Sequence, residues 1–332
     1  WTIPANKALA YNEALDYVLI QLNDDGDFNN EGRCFMNQPL HISRPGKHHF
    51  RSVFFAKSCT SAEKFHSFPA NATILLDLED SITTANKPRQ RSQIRRLIEQ
   101  GIFKNRTVFI RINGPDQPSE MHADLMACLH SDIDGLMIPM IQNAAELHWI
   151  EEIVQRREES LQLPKEHNSI IPLIERPAAV LNLDSIARSS SRVVALAFGH
   201  VDYCIEMQAD IEEECYSDAQ SRILMTARAN QLAAISTVYL KLDDEKGFQQ
   251  QNKRMKSLGF DGCFALTPKQ MNQALKIFSH TKEEIEYSRR VLEVYETQGS
   301  IGMLDGEMIG PPMIKRALKI MEQFDLEHKG VA

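Results

Sequence analysis

The chain has 332 residues, 43% of them hydrophobic and 25% charged, with a formal net charge of −8. That length holds one large α/β domain with extensions or two medium domains, and the composition is that of a globular protein. The acidic balance argues against nucleic acid as a partner, because binding phosphates needs a basic face, and no apolar run approaches the roughly 20 residues of a membrane span. The opening residues, Trp1-Thr2-Ile3-Pro4, lack the basic-then-apolar pattern of a signal peptide. Cys34, Cys59, Cys128, Cys204, Cys215 and Cys263 are scattered, with no C-x-x-C pair. Free thiols in a reducing cytoplasm account for them better than a zinc ribbon or a disulfide framework.

Residues 1–48 read as an N-terminal extension. Leu9 to Leu22 has helical spacing, and Asp24-Asp25-Gly26-Asp27 with Asn29-Asn30 reads as a solvated turn. It lacks the closing glutamate of a calcium loop. From there a rhythm sets in. Apolar, strand-like runs occur at Ser52–Ala56, Thr73–Leu78, Thr107–Ile112, Leu136–Ile141, Ile170–Ile174, Val193–Phe198, Ser236–Leu240 and Gly262–Leu266. Segments with helical spacing lie between most of them, among them Lys87–Gln100, Pro118–His130, Asn143–Arg157, Ala178–Ser189 and Pro268–His280. Eight β/α alternations over about 230 residues predict a (β/α)8 TIM barrel across residues 49–281. An open doubly wound sheet is the competing architecture, but no strand is followed by a Gly-rich nucleotide fingerprint. Residues 282–332 read as a C-terminal helical segment. A helix over Thr281–Thr297, a loop over Gly299–Pro312 and a helix over Met313–Glu327 are placed to act as a lid or to reach a neighbouring subunit.

The barrel reading places the site at the C-terminal ends of the strands. The fifth run ends in Glu175 and the sixth reaches Asp202. Two carboxylates at one mouth suit a single hard cation such as Mg2+, which takes few protein ligands and keeps waters. The plainer reading is that Glu175 pairs with Arg176 or another base and that Asp202 caps a helix. The second run ends in Asp77-Leu78-Glu79-Asp80 and the third in Arg111-Ile112-Asn113-Gly114. Together these outline a site for a metal and an anion. Capping, or ion pairs to Lys87, Arg89 or Arg91, is the alternative for the three acids of the second run. His200, two residues before Asp202, would share its face on a strand and serve as a metal neighbour or proton donor. A structural role is the bland alternative.

At these residues the chain resembles the HpcH/HpaI aldolase–citrate lyase family, most closely its citrate lyase β-subunit and malyl-CoA lyase branch. The resemblance covers roughly residues 50–325. It rests on Arg51-Ser52-Val53-Phe54-Phe55, Leu76-Asp77-Leu78-Glu79-Asp80-Ser81 with Lys87 and Arg91, and Arg111-Ile112-Asn113-Gly114. It continues through Pro172-Leu173-Ile174-Glu175, Gly199-His200-Val201-Asp202, Gly259-Phe260-Asp261-Gly262 and Asp305-Gly306-Glu307-Met308-Ile309. The resemblance implies a Mg2+-dependent carbon–carbon bond lyase. Glu175 and Asp202 would hold the metal, Arg111 would bind the keto acid and stabilise negative charge, and Glu79 and Asp80 would orient a metal-bound water. Arg51 joins Arg111 as an expected substrate contact. The partners implied are a small keto or hydroxy acid, its CoA thioester, and further copies of the chain in a homotrimer or hexamer.

Several positions depart from the family pattern. Gly310 stands where malyl-CoA lyase-like members carry a catalytic aspartate. Met140 and Gln142 replace a lysine and a glutamate after the fourth strand. Thr267 replaces a histidine, Ser236 an aspartate, and Ala56-Lys57-Ser58 a Val-Pro-Gly turn. These changes fall around the acyl-carrier arm and point to a different carrier or to a substrate without CoA. A metal-assisted thioester hydrolase and a non-catalytic metabolite-binding paralogue are the alternative functions.

Overall fold

In the computed structural model, eight parallel strands pair in sequence order and β8 returns to β1, closing a barrel. The strands are β1 (Ser52–Ala56), β2 (Thr73–Asp77), β3 (Val108–Arg111), β4 (Gly135–Ile138), β5 (Ser169–Ile174), β6 (Ala195–Phe198), β7 (Ala233–Ser236) and β8 (Gly262–Ala265). The structure describes residues 48, 50–57, 60–211 and 216–329. The helix expected at Leu9–Leu22 and the turn at Asp24–Asn30 lie outside them. Among the described residues no helix is long and apolar enough to cross a membrane.

The period of two along each strand explains why a closed cylinder forms. Val53, Leu75, Phe109, Met137, Ile171, Leu173, Ala195, Ala197, Ile235 and Phe264 point inward and pack against one another. Their neighbours Phe54, Ile74, Leu76, Ile110, Leu136, Ile138, Ile170, Leu196 and Cys263 point outward, into the larger core beneath the helices. Both faces are dry, so the strands read as continuous apolar runs. Each fully buried Leu, Ile or Phe contributes about 1.5–3 kcal/mol.

The surrounding helices carry their own start signals. Asn143 caps Ala144–Ser160, and Thr267 caps Pro268–Phe278, whose first position is proline. Thr281 and Glu284 form a capping box for Lys282–Gln298. At the N-terminal rim, Arg192 and Glu158 form a buried bidentate pair at 2.6 and 2.8 Å, and Glu158 also accepts from the Asn168 N–H. Such a pair at this rim is part of the scaffold.

Four expectations need correction. The seventh strand is Ala233–Ser236, not Ser236–Leu240. Ala233 and Ala234 are weak strand formers, but they fit the barrel wall, and Val238 to Leu240 already belong to the loop at the mouth. The helix expected over Ala178–Ser189 is two short helices, Pro177–Leu181 and Leu183–Ala187, broken at Asn182. The segment expected as a loop from Gly299 to Pro312 contains an antiparallel hairpin, β9 (Gly302–Leu304) and β10 (Glu307–Ile309). Its turn residues Asp305 and Gly306 have φ of 52° and 86°, the left-handed pair that a tight Asp-Gly hairpin turn requires. Leu304 and Ile309 tuck against the helix Lys282–Gln298.

The fourth correction concerns Arg51. It immediately precedes β1, and its carbonyl accepts from Cys263 near the start of β8. It therefore belongs to the N-terminal rim. A strand of five residues, roughly 17 Å long, separates it from the mouth where Arg111 ends β3. It is not a substrate contact at that mouth.

Candidate active site

The inward register that builds the core also delivers the site. One step above Leu75 is Asp77, above Phe109 is Arg111, and above Leu173 is Glu175, all at the C-terminal mouth. Asp77 and Arg111 are direct partners across β2 and β3. Arg111 Nε and Nη2 each donate to Asp77, at 2.7 Å. Arg111 Nη1 lies 2.6 Å from Glu79 Oε2 and 3.8 Å from Asp80 Oδ2. The guanidinium also sits 5.0 Å over the Phe55 ring. Asp77 thus pairs with Arg111, while Lys87 bonds Asn113 and Gln117 and Arg91 bonds Asp124 and Glu120. None of the three bases expected for Asp77 takes that role. Asn113 links the two groups: it donates to the Leu78 carbonyl and to Asp124, fixing the turn that carries Glu79.

Glu175 is almost fully buried and does not pair with Arg176, which forks onto Glu206 instead. The only hydrogen bond to its carboxylate in the described structure is from the Met140 main-chain N–H to Oε1, at 2.8 Å. Met140 makes it from a left-handed backbone, φ 58°, a strained state for a residue with a side chain. The other oxygen lies against Gly199. A Cβ on Gly199 would fall 2.6 Å from Glu175 Oε2 and 2.8 Å from Glu175 Cβ. Only glycine leaves room there.

Asp202 sits in the first turn of the helix His200–Glu206, not at the end of a strand. His200 and Asp202 therefore do not share a strand face. His200 is buried, bonded to Thr237 through Nδ1 and packed on Tyr216. Burial holds its pKa down to about 4, which favours the neutral imidazole. Thr267, which stands in place of the family histidine, uses its hydroxyl to cap a helix. Ser236 is buried at the end of β7, and among the described residues its hydroxyl has no hydrogen-bond partner.

The electrostatics show which groups are neighbours. Burial raises Glu175 well above the usual carboxylate range, the charges of Glu79 and Asp202 add to this, and Arg111 opposes. Burial raises Asp202, with Asp80 adding and Arg111 opposing. Burial raises Glu79 to about 8 against the pull of Arg111, with Asp80 and Asp77 adding. Asp77 ends below its ordinary value: burial works against ionisation there, but the Arg111 hydrogen bonds and charge outweigh it. Asp77, Glu79, Asp80, Glu175 and Asp202 thus gather around the single guanidinium of Arg111.

That surplus of negative charge fits a divalent cation. Among the described residues Glu79 Oε2 is buried without a hydrogen-bond partner despite its close approach to Arg111. Its neighbour Glu175 is ionised only at a high cost. A cation between Glu175 and Asp202 would relieve both. Among the described residues no three His, Cys, Asp or Glu side chains stand at ligand spacing. Two carboxylates with the remaining positions left to water or substrate is a set that Mg2+ accepts and zinc does not favour.

The HpcH/HpaI aldolase/citrate lyase family model matches residues 51–268. The chain belongs to that family. Among curated relatives, the citrate lyase subunit beta of Leuconostoc mesenteroides subsp. cremoris is 29% identical over 264 residues, 77% of this chain and 86% of that protein. The L-malyl-CoA/beta-methylmalyl-CoA lyase of Cereibacter sphaeroides is 25% identical over 322 residues, covering 88% and 98%. A solved structure of the protein CitE from Mycobacterium tuberculosis, in complex with magnesium, acetoacetate and coenzyme A, superposes with a TM-score of 0.63 at 21% identity. It covers 82% of this chain and 96% of that one. At that identity the likeness establishes the barrel, which is the fold expected from the strand rhythm.

Sequence reasoning missed three contributors: Asp77 as the partner of Arg111, the Met140 amide as a donor to Glu175, and Gly199 as the space beside it. Asp77 was legible in outline, because it shares the inward parity of Leu75. The Met140 amide has no side-chain signal at all.

Proposed function

We propose that this chain is a Mg2+-dependent carbon–carbon bond lyase that splits a small hydroxy acid, or its thioester, and releases a keto acid. The observation that carries the reading is the gathering of Glu175, Asp202 and Arg111 at one mouth of the barrel. Membership of the HpcH/HpaI family and the likeness to citrate lyase subunit beta and L-malyl-CoA/beta-methylmalyl-CoA lyase support it.

Glu175 and Asp202 would hold the metal, with Glu175 fixed by the Met140 amide. When bound, Mg2+ acts as a Lewis acid and template for the keto or hydroxy acid oxygens. Arg111 supplies a permanent positive charge for the substrate carboxylate and for the negative oxygen that develops as the bond breaks. Its Nε–Nη2 fork is occupied by Asp77, so a ligand meets Nη1 and the outer Nη2 hydrogen. Glu79 and Asp80 lie beside that nitrogen and accept hydrogen bonds from a water or a substrate hydroxyl. Phe55 closes the floor beneath the guanidinium.

The chain is proposed to work as a homotrimer or hexamer. Met303 and Met308 are cross-strand partners on the outer face of the hairpin, with Ile301 beside them, and all three side chains are more than half exposed. A contiguous apolar face of this kind fits a subunit contact. Light scattering on Met303→Glu/Met308→Glu, giving a smaller particle than the unmutated chain, would support that use.

Calorimetry tests the main reading. Oxaloacetate, glyoxylate or pyruvate is expected to bind only with Mg2+ present, and Glu175→Ala is expected to abolish that binding. Release of a keto acid from a hydroxy-acid thioester identifies a lyase, and hydrolysis without a keto acid refutes it. Metal-independent binding, or none to any of the three, also overturns the reading.

A further inference from the structure

We propose that Asp77 is a positioning residue of this site: its two oxygens lock the Arg111 guanidinium and, at the same time, the main chain that carries Glu79 and Asp80. Oδ1 accepts from Arg111 Nε at 2.7 Å and from the Glu79 main-chain N–H at 3.2 Å. Oδ2 accepts from Arg111 Nη2 at 2.7 Å and from the Ser81 main-chain N–H at 3.3 Å. An ionised carboxylate has about four acceptor directions, and all four are used. Each oxygen takes one guanidinium hydrogen and one peptide hydrogen, so neither the arginine nor the turn can shift without the other.

The surroundings strengthen the lock. Asp77 is the last residue of β2 and Arg111 the last of β3, and the two strands are paired at that step. Phe55 supports the guanidinium from below. Asn113 holds the Leu78 carbonyl, one residue before Glu79. The guanidinium is therefore pinned on its Nε–Nη2 side, and only its Nη1 end is turned toward Glu79 and Asp80. Asp77 itself is buried and has no acceptor left for a ligand. It acts through Arg111, and it selects for ligands that present a negative oxygen to the Nη1 end.

The ligand arm of the test rests on the proposed function, whereas the labelling arm does not. Phenylglyoxal labelling of Arg111, read by peptide mass spectrometry, needs no substrate. Asp77→Asn is expected to accelerate it, because the guanidinium is released from its fork; unchanged labelling overturns the proposal. If Asp77→Asn does not fold, Asp77→Glu keeps the charge but displaces it by one methylene, and it is read in the same way.

In the ligand arm, Asp77→Asn is expected to weaken Mg2+-dependent oxaloacetate binding about ten- to a hundredfold, the factor for losing a charged hydrogen-bond partner. Mn2+ affinity, followed by electron paramagnetic resonance, should fall by less. Asp77→Asn/Arg111→Gln should bind oxaloacetate no worse than Arg111→Gln alone, because a residue acting through Arg111 has nothing left to lose. Full additivity of the two losses overturns the positioning role. Accelerated labelling with no oxaloacetate binding by the unmutated chain supports the Asp77 assignment and counts against the lyase reading.

Discussion

Replacing Gly199 by alanine tests the site through a single carbon atom. The backbone at Gly199 has φ −97° and ψ 82°, so alanine meets no left-handed penalty there. The whole effect is steric. The added Cβ would lie 2.6 Å from Glu175 Oε2 and 2.8 Å from Glu175 Cβ, both well inside van der Waals contact. Glu175 cannot retreat freely, because its other oxygen is held at 2.8 Å by the Met140 N–H. Overpacking of this kind costs about 1–3 kcal/mol, and for a chain of this size it lowers the Tm by a few degrees. Displacing the carboxylate from the ligand position should weaken Mg2+ binding about tenfold or more, the equivalent of about 1.4 kcal/mol. Differential scanning calorimetry gives the first number and titration calorimetry with Mg2+ the second. Unchanged Mg2+ affinity with a lowered Tm would refute the proposed role of Glu175 as a metal ligand. No change in either would refute the geometry around Gly199.

The acid cluster makes the metal-free protein sensitive to pH. Glu79 is raised from about 4.5 to about 8 in the folded state, so between those values the folded chain binds more protons than the unfolded one, and stability falls as pH rises. His200, lowered from 6.5 to about 4, has the opposite slope, but only between its two values. The clean window is therefore pH 6.5–8, where thermal scans without metal should show a falling Tm and scans with saturating Mg2+ a flatter one. A rising Tm in that window without metal would contradict the buried state of Glu79. Glu158→Ala removes the bidentate partner of the buried Arg192 at the opposite rim and leaves it the longer contact to Glu151 at 3.4 Å; it should cost about 3 kcal/mol in urea unfolding, with Mg2+ affinity retained. Thr281→Ala removes one half of a capping box and should cost about 1 kcal/mol, seen as faster hydrogen exchange at the start of the helix Lys282–Gln298.

The barrel was legible because its strands are dry on both sides and recur at even spacing, a pattern that side-chain identity alone carries. Arg111 and Glu175 were legible for the same reason: strand parity points them inward at the mouth. Asp202 was placed on a strand because Val193 to Phe198 is an unbroken apolar run, and nothing in its composition marks Gly199 as the point where the helix begins. The seventh strand slipped because Val238, Tyr239 and Leu240 look more strand-like than Ala233 and Ala234, although it is these two alanines that pair with Ala195 and Leu196 of β6. Arg51 was misjudged because a motif gives the order of residues along the chain but not the rim they occupy. The hairpin at Asp305-Gly306 carried a legible turn signal, overridden by the flanking glycines and prolines.

Met140 has a wider consequence. The grip on Glu175 comes from a peptide amide, and a peptide amide is present whatever side chain that position bears. A substitution at position 140 changes the side chain there while the main-chain hold on Glu175 persists, provided the new residue accepts the same left-handed turn. The chemistry of the side chain at that position and the fixing of the Glu175 carboxylate are thereby separable within a single residue.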